Sequence, residues 1–204
     1  WNGTHEGLYR YDGNECRMMH IPVHNPGYLI INDLCESSGN DIWIASSAGL
    51  LRYDSKTNEI VRYHSEELSS SVVVTKIIRF ADDCILLSAR ENGAYIIDTQ
   101  SYECTKVKIE GAGEQYYSSS LCNADDGTAY ILVRDKGLYN LRPFSKGLAN
   151  FVELQEDCPF VRFPVIDNIE YYNGRVITGV ADETFIYNIS TGKTEVKNWS
   201  DIND

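Results

Sequence analysis

Four histidines, six cysteines and two Asp-Asp pairs are the residues of this 204-residue chain first considered for metal binding, nucleophilic attack or acid–base work. His20 and His24 have the i, i+4 spacing that puts two imidazoles on one face of a helix, as zinc pairs often do. Pro22 stands between them in a strand-and-loop context, so the pair reads as a solvated loop. Cys16, Cys35, Cys84, Cys104, Cys122 and Cys158 form no C-x-x-C pair and are too sparse for a disulfide scaffold. Most are expected to be free, buried core residues that do not fix the redox compartment. Gly111-Ala112-Gly113 begins like a phosphate-binding fingerprint, but Tyr116 occupies the third glycine's place and no helix follows. Neither a G-x-S-x-G elbow nor an H-E-x-x-H helix occurs. Asp82-Asp83 and Asp125-Asp126 could supply acid and base to a glycosidase only if two carboxylates faced each other across a sugar-sized gap. Both pairs fall in turns, where aspartate bonds its own backbone. The expectation is a non-catalytic chain with no cofactor and no metal, and a propeller hydrolase or lyase is an alternative.

Composition narrows the partners. Thirty acidic residues against 18 basic ones give a formal charge of -12 and a pI near 4.7. That balance is opposite to what phosphate neutralisation requires, so direct nucleic-acid contact is excluded, and an acidic lipid surface is disfavoured likewise. No apolar run approaches the roughly 20 residues of a membrane helix, and Trp1-Asn2-Gly3-Thr4 does not read as a secretory signal. Three N-x-S/T sites, at Asn2, Asn188 and Asn198, matter only in a eukaryotic secreted protein.

The elements that position these residues recur. Gly7-Leu8-Tyr9-Arg10-Tyr11-Asp12, Gly49-Leu50-Leu51-Arg52-Tyr53-Asp54, Gly93-Ala94-Tyr95-Ile96-Ile97-Asp98 and Gly137-Leu138-Tyr139-Asn140-Leu141-Arg142 share one pattern. Glu183-Thr184-Phe185-Ile186-Tyr187-Asn188 keeps it without the glycine. Their starts lie 42, 44, 44 and 46 residues apart. In the second unit, strand-sized runs at Tyr28 to Cys35, Asp41 to Ser46, Leu50 to Asp54 and Glu59 to Tyr63 are separated by turn compositions. No stretch has a sustained helical period, so the fold class is all-β. Four antiparallel strands per unit of about 44 residues is the blade of a β-propeller, in which neighbours bury each other's faces. The boundaries read as a partial blade at 1–27, blades at 28–73, 74–118, 119–165 and 166–199, and the start of another at 200–204. An excerpt of a larger propeller, seven-bladed, is expected over a five-bladed ring closed by the two ends.

The run Asn40-Asp41-Ile42-Trp43-Ile44-Ala45-Ser46-Ser47-Ala48-Gly49-Leu50-Leu51-Arg52-Tyr53-Asp54 closely resembles the two-component regulator propeller repeat, D-x-x-G-x-L-W-I-G-T-x-x-G-L-x-R-Y-D. Trp1 to Asp12 resembles its second half nearly residue for residue, and the unit with Glu183 departs from it. The resemblance implies the extracytoplasmic sensor of a hybrid two-component histidine kinase. Phosphotransfer would then lie elsewhere on the parent chain, and the location would be the periplasmic side of an inner-membrane protein. It further implies an oligosaccharide ligand, the remaining blades and a β-sandwich as intramolecular partners, a homodimeric parent, and membrane contact only through that parent.

In a blade, the turn between the second and third strands and the connection to the next blade emerge on one face. That face is expected to present His5, Glu6, Arg90, Glu91, Asn92, Arg134, Asp135 and Lys136, with Tyr116, Tyr117 and Arg162 from the connections. Ser46-Ser47, Asp182-Glu183, His64, Phe160 and Phe163 fall there too. Mixed charge with aromatic rings suits a sugar, whose apolar face stacks while its hydroxyls hydrogen-bond. The same residues equally fit solvated hairpin tips, and the face could instead serve as a protein interaction or dimerisation platform.

Overall fold

The computed structural model describes residues 1–22, 29–69, 71–111, 113, 115–143, 145, 147–152 and 168–198. His24, Ala112, Cys158, Phe160, Arg162, Phe163 and residues 199–204 lie outside the described residues. Two compact units divide the chain, Trp1–Lys106 and Val107–Asp204.

The first unit holds three antiparallel sheets. β1 (Asn2–Thr4), β2 (Gly7–Tyr11) and β3 (Cys16–Met18) lie in that order. β4 (Ile31–Glu36), β5 (Ile42–Ser46), β6 (Gly49–Asp54) and β7 (Glu59–Arg62) form the next sheet. β8 (Lys76–Ala81), β9 (Cys84–Ala89), β10 (Gly93–Asp98) and β11 (Cys104–Lys106) form the third. The second unit contains β12 (Lys108–Ile109), β13 (Ser118–Asn123), β14 (Ala129–Val133), β15 (Gly137–Leu141) and β16 (Leu148–Phe151) in one sheet. β17 (Glu170–Tyr172), β18 (Arg175–Val180), β19 (Glu183–Asn188) and β20 (Thr194–Asn198) make the other. Apart from β12, each sheet is a simple meander, because turns of two to six residues can join only antiparallel neighbours.

Why these residues form this unit is visible in its turns. Gly7, Gly49, Gly93 and Gly137 all have φ between 92° and 131°, a region that only glycine enters cheaply. In the unit that carries Glu183 instead, the left-handed residue moves into the preceding turn, at Ala181 with φ 53°. Just before the glycine, the Thr4 hydroxyl donates to the Gly7 carbonyl at 2.9 Å and accepts from the Glu6 N–H at 3.0 Å. Ser46 repeats both bonds with Gly49 and Ala48. The aspartate that closes the motif caps the next turn. Asp12, Asp54 and Asp98 each accept two backbone N–H bonds of 2.8–3.1 Å, and Asn188 does the same.

Those bonds hold the three carboxyls below their ordinary 3.8, through Glu15 and Asn14 for Asp12, Thr57 and Lys56 for Asp54, and Ser101 and Gln100 for Asp98. A carboxyl with a depressed folded pKa stabilises the fold above its unfolded value and loses that contribution as pH falls through the folded value. The urea midpoint should therefore hold between about pH 7 and pH 5 and fall below about pH 4. Asp54→Asn with Asp98→Asn keeps the acceptor oxygen, as Asn188 does, and should flatten the acid limb; an unchanged limb would contradict this assignment.

Sheets within a unit are joined by repeat-equivalent contacts. The Asp33 carboxylate on β4 accepts the Ile77 N–H of β8 at 3.1 Å, and the Ser120 hydroxyl on β13 accepts the Ile169 N–H beside β17 at 3.1 Å. Asn32 Nδ2 donates to the Val74 carbonyl at 2.7 Å. Close packing accompanies these bonds: a Cβ on Gly3 would collide with the Ile31 side chain. Trp43, Leu87 and Ile97 belong to one apolar cluster of the first unit and Leu8, Ile44 and Leu51 to another, while Leu138, Val176 and Tyr187 core the second unit.

One strand was not legible. β12 runs parallel to the outer edge of β16, with Lys108 opposite Leu148 and Ile109 opposite Ala149. Residues 108–109 thus pair with the sheet of β13–β16 although they fall inside the expected 74–118 segment, and that segment's end at 118 lies within β13. A two-residue pairing has no periodicity to read.

Candidate functional site

The turns between second and third strands carry the expected polar residues at equivalent positions. His5 and Glu6 are exposed in the β1–β2 turn, and Arg90–Asn92 form a single 3-10 turn between β9 and β10. Arg134–Lys136 join β14 to β15, with Asp135 at φ 60°. Counted from the strand residue that pairs with the following glycine (Thr4, Ala89 and Val133), His5, Arg90 and Arg134 stand first in their turns, followed by Glu6, Glu91 and Asp135. An arginine followed by an acid therefore recurs on two turns, and a histidine followed by an acid on a third.

In the first unit two hollows open beside these turns. The Arg90–Asn92 turn and Ser71, Val72 and Val73 from the connection before β8 line a space of about 280 Å³. Its walls mix a guanidinium, a carboxylate and an amide with two valines, which fits an amphipathic polyhydroxylated ligand better than a purely apolar one. Glu6, Met18, Met19, His20, Ile21 and Leu29 border a second hollow of about 360 Å³. Nothing in the sequence marked Ser71–Val73 or Met18–Met19 as lining residues, because a concavity depends on how connections fold back onto turns.

In the second unit, Arg134 stacks on Tyr117, its guanidinium carbon 3.7 Å from the ring centroid. The Arg134 N–H also donates to the Tyr117 carbonyl at 2.9 Å, so backbone and side chain are fixed together. Tyr116 is a correction. It is 5% exposed, and its hydroxyl donates to the Val107 carbonyl at 2.8 Å. It packs beneath the connection while Tyr117 stays half-exposed, because successive side chains of an extended segment alternate in direction. Arg162 lies outside the described residues.

The described cysteines are core groups with one exception. Cys35 and Cys122 are buried, Cys84 and Cys104 half-buried, and Cys16 exposed. Burial pushes the Cys35 thiol up to about 11, with nearby Asp33 adding to the shift, and burial raises Cys84 and Cys104 as well. These three are protonated thiols rather than nucleophiles. Among the described residues no group of three or more His, Cys, Asp or Glu gathers as a metal site, and no helix is long and apolar enough to cross a membrane.

Comparison with known proteins places the architecture. The chain superposes on the extracellular domain of B. thetaiotaomicron BT3049, described as a hybrid two component system, with a TM-score of 0.72 at 16% identity over 97% of this chain. A BT4673 extracellular domain from the same organism gives a TM-score of 0.72 at 19% identity over 95% of the chain. These are β-propeller blades. The chain spans 25–29% of the length of the BT3049 and BT4673 structures it matches. YCF48 bound to D1 peptide matches with a TM-score of 0.65 at 11% identity, covering 96% of this chain and 62% of that one. No family model matches the chain, and no curated protein matches it by sequence. At such identities the likeness carries the fold, which is the propeller segment that the repeat implied.

Proposed function

We propose that this propeller segment is a non-catalytic, ligand-binding part of the extracytoplasmic sensor of a hybrid two-component histidine kinase. It responds to a carbohydrate on the periplasmic side, and the parent chain carries the phosphorelay that controls transcription. The observation that supports the reading most is the superposition on the BT3049 extracellular domain over nearly the whole chain. It is supported further by the motif of residues 40–54 and by the polar hollow beside Arg90. There a sugar face can lie on Val73 while its hydroxyls bond the Arg90 guanidinium and the Asn92 amide.

The test is calorimetric titration of the chain with a panel of oligosaccharides. At least one should bind, and Arg90→Ala should weaken it by about tenfold or more with thermal stability unchanged, since a charged hydrogen bond is worth about 1.5–3 kcal/mol. Binding that ignores Arg90, or no binding across the panel, overturns the assignment to this hollow. A second reading is a peptide-docking platform, favoured by the likeness to a propeller whose structure is described as bound to a peptide.

A further inference from the structure

Outermost strands of the blades differ in length and in what their free edges present. β3 and β11 have three residues each, β7 has four, and the edge of β16 is already paired by β12. β20 has five, Thr194-Glu195-Val196-Lys197-Asn198, and ends its sheet with β19 as its one partner among the described residues. Val196 is 48% exposed, and the Glu195 and Lys197 side chains are 61% and 55% exposed. The register decides which backbone groups face outward. The Asn188 N–H bonds the Lys193 carbonyl and Asn188 sits beside β20's start, so the hydrogen-bonded positions toward β19 alternate to Glu195 and Lys197. The N–H and C=O groups of Thr194, Val196 and Asn198 therefore point away from the sheet.

That edge is complementary to itself. In an antiparallel pair of two copies centred on Val196, the outward groups of Val196 meet those of its counterpart, and Thr194 meets Asn198 on both sides. Glu195 then lies opposite Lys197 of the other copy, twice, at the non-hydrogen-bonded positions where cross-strand side chains come closest. A lysine alone on an edge guards against pairing. Here an equal and opposite charge two residues away on the same face cancels the guard and selects one register, because a shift of two residues breaks both ion pairs.

We propose that β20 docks on β20 of a second copy of this chain, forming an antiparallel strand pair about a two-fold axis through Val196. A contact of this size lies at the small, transient end of the interface scale, so the dimer is weak and concentration-dependent. The proposal is independent of the sensor reading.

Sedimentation velocity of the 204-residue chain from about 10 μM to about 1 mM tests it. The parent should shift from monomer toward dimer with rising concentration. Glu195→Lys and Lys197→Glu each turn both ion pairs into like-charge pairs, and each should weaken dimerisation about tenfold or more. The double swap Glu195→Lys with Lys197→Glu should restore it, and mixing the two single variants should produce a heterodimer. Circular dichroism confirms that these surface variants fold. A chain that stays monomeric to about 1 mM, or a dimer indifferent to the single reversals, overturns the proposal.

Discussion

Trp43→Ala lowers the stability of the first unit by roughly 3–5 kcal/mol, the range for deleting a large aromatic from a close-packed core. The indole is 0% exposed. The Tyr63 ring meets it edge-on with centroids 5.5 Å apart, and Tyr102 lies tilted at 6.2 Å. Its neighbours belong to two successive blades, so the cavity left by alanine opens at a contact that neither sheet can close alone. The indole Nε1 is buried without an acceptor, and its removal returns part of the loss. Trp43→Phe keeps a ring, drops the unpaired donor and should cost well under half as much. Trp1, at the equivalent position just before β1, is 37% exposed, and Trp1→Ala should cost far less. Urea midpoints of the three variants check the series; an effect below about 1 kcal/mol for Trp43→Ala would falsify its role as the inter-blade anchor.

Arg52→Met costs about 2–3 kcal/mol, the second largest effect expected. One guanidinium serves Asp41 through Nη1, Asp54 through Nη2 at 3.2 Å, and the Tyr102 hydroxyl at 2.9 Å, and it lies 4.7 Å from the Tyr102 ring centroid. Asp41 is held from its other side by the Ser55 N–H and hydroxyl, both at 2.9 Å. Burial alone would raise the Asp41 carboxyl, but the Ser55 bonds and Arg52 outweigh it and hold it below 3.8. Removing one partner of a buried pair costs about 3–5 kcal/mol, and the 15% exposure of both side chains trims that figure. A cycle with Asp41→Asn should give a coupling of about 1 kcal/mol or more. A variant within about 0.5 kcal/mol of the parent would assign Arg52 to the surface instead.

Arg52 and Asp54 also explain the R-Y-D of the repeat. Asp54 caps a turn, Arg52 ties that turn to Asp41 at the start of β5, and Tyr53 packs inward between them. The motif is thus a local circuit, and residues that solve a local problem recur wherever it does. For this reason the sequence alone determined the all-β class, the four strands of the 28–73 repeat, the glycine turns and the closing aspartates. Gly7, Gly49, Gly93 and Gly137 could be recognised because backbone conformation at one residue leaves a mark at that residue.

Tertiary structure alone decided the rest. That Tyr116 turns inward to the Val107 carbonyl while Tyr117 turns outward beneath Arg134 depends on the path of the connection, and composition is blind to it. The β12–β16 pairing, the hollow between Ser71–Val73 and Arg90–Asn92, and the outward direction of the Val196 amide depend on registers set across sheets. Side-chain type reports local propensity and burial, whereas a concavity or a free edge is made by two segments far apart in sequence, and neither carries its partner's address.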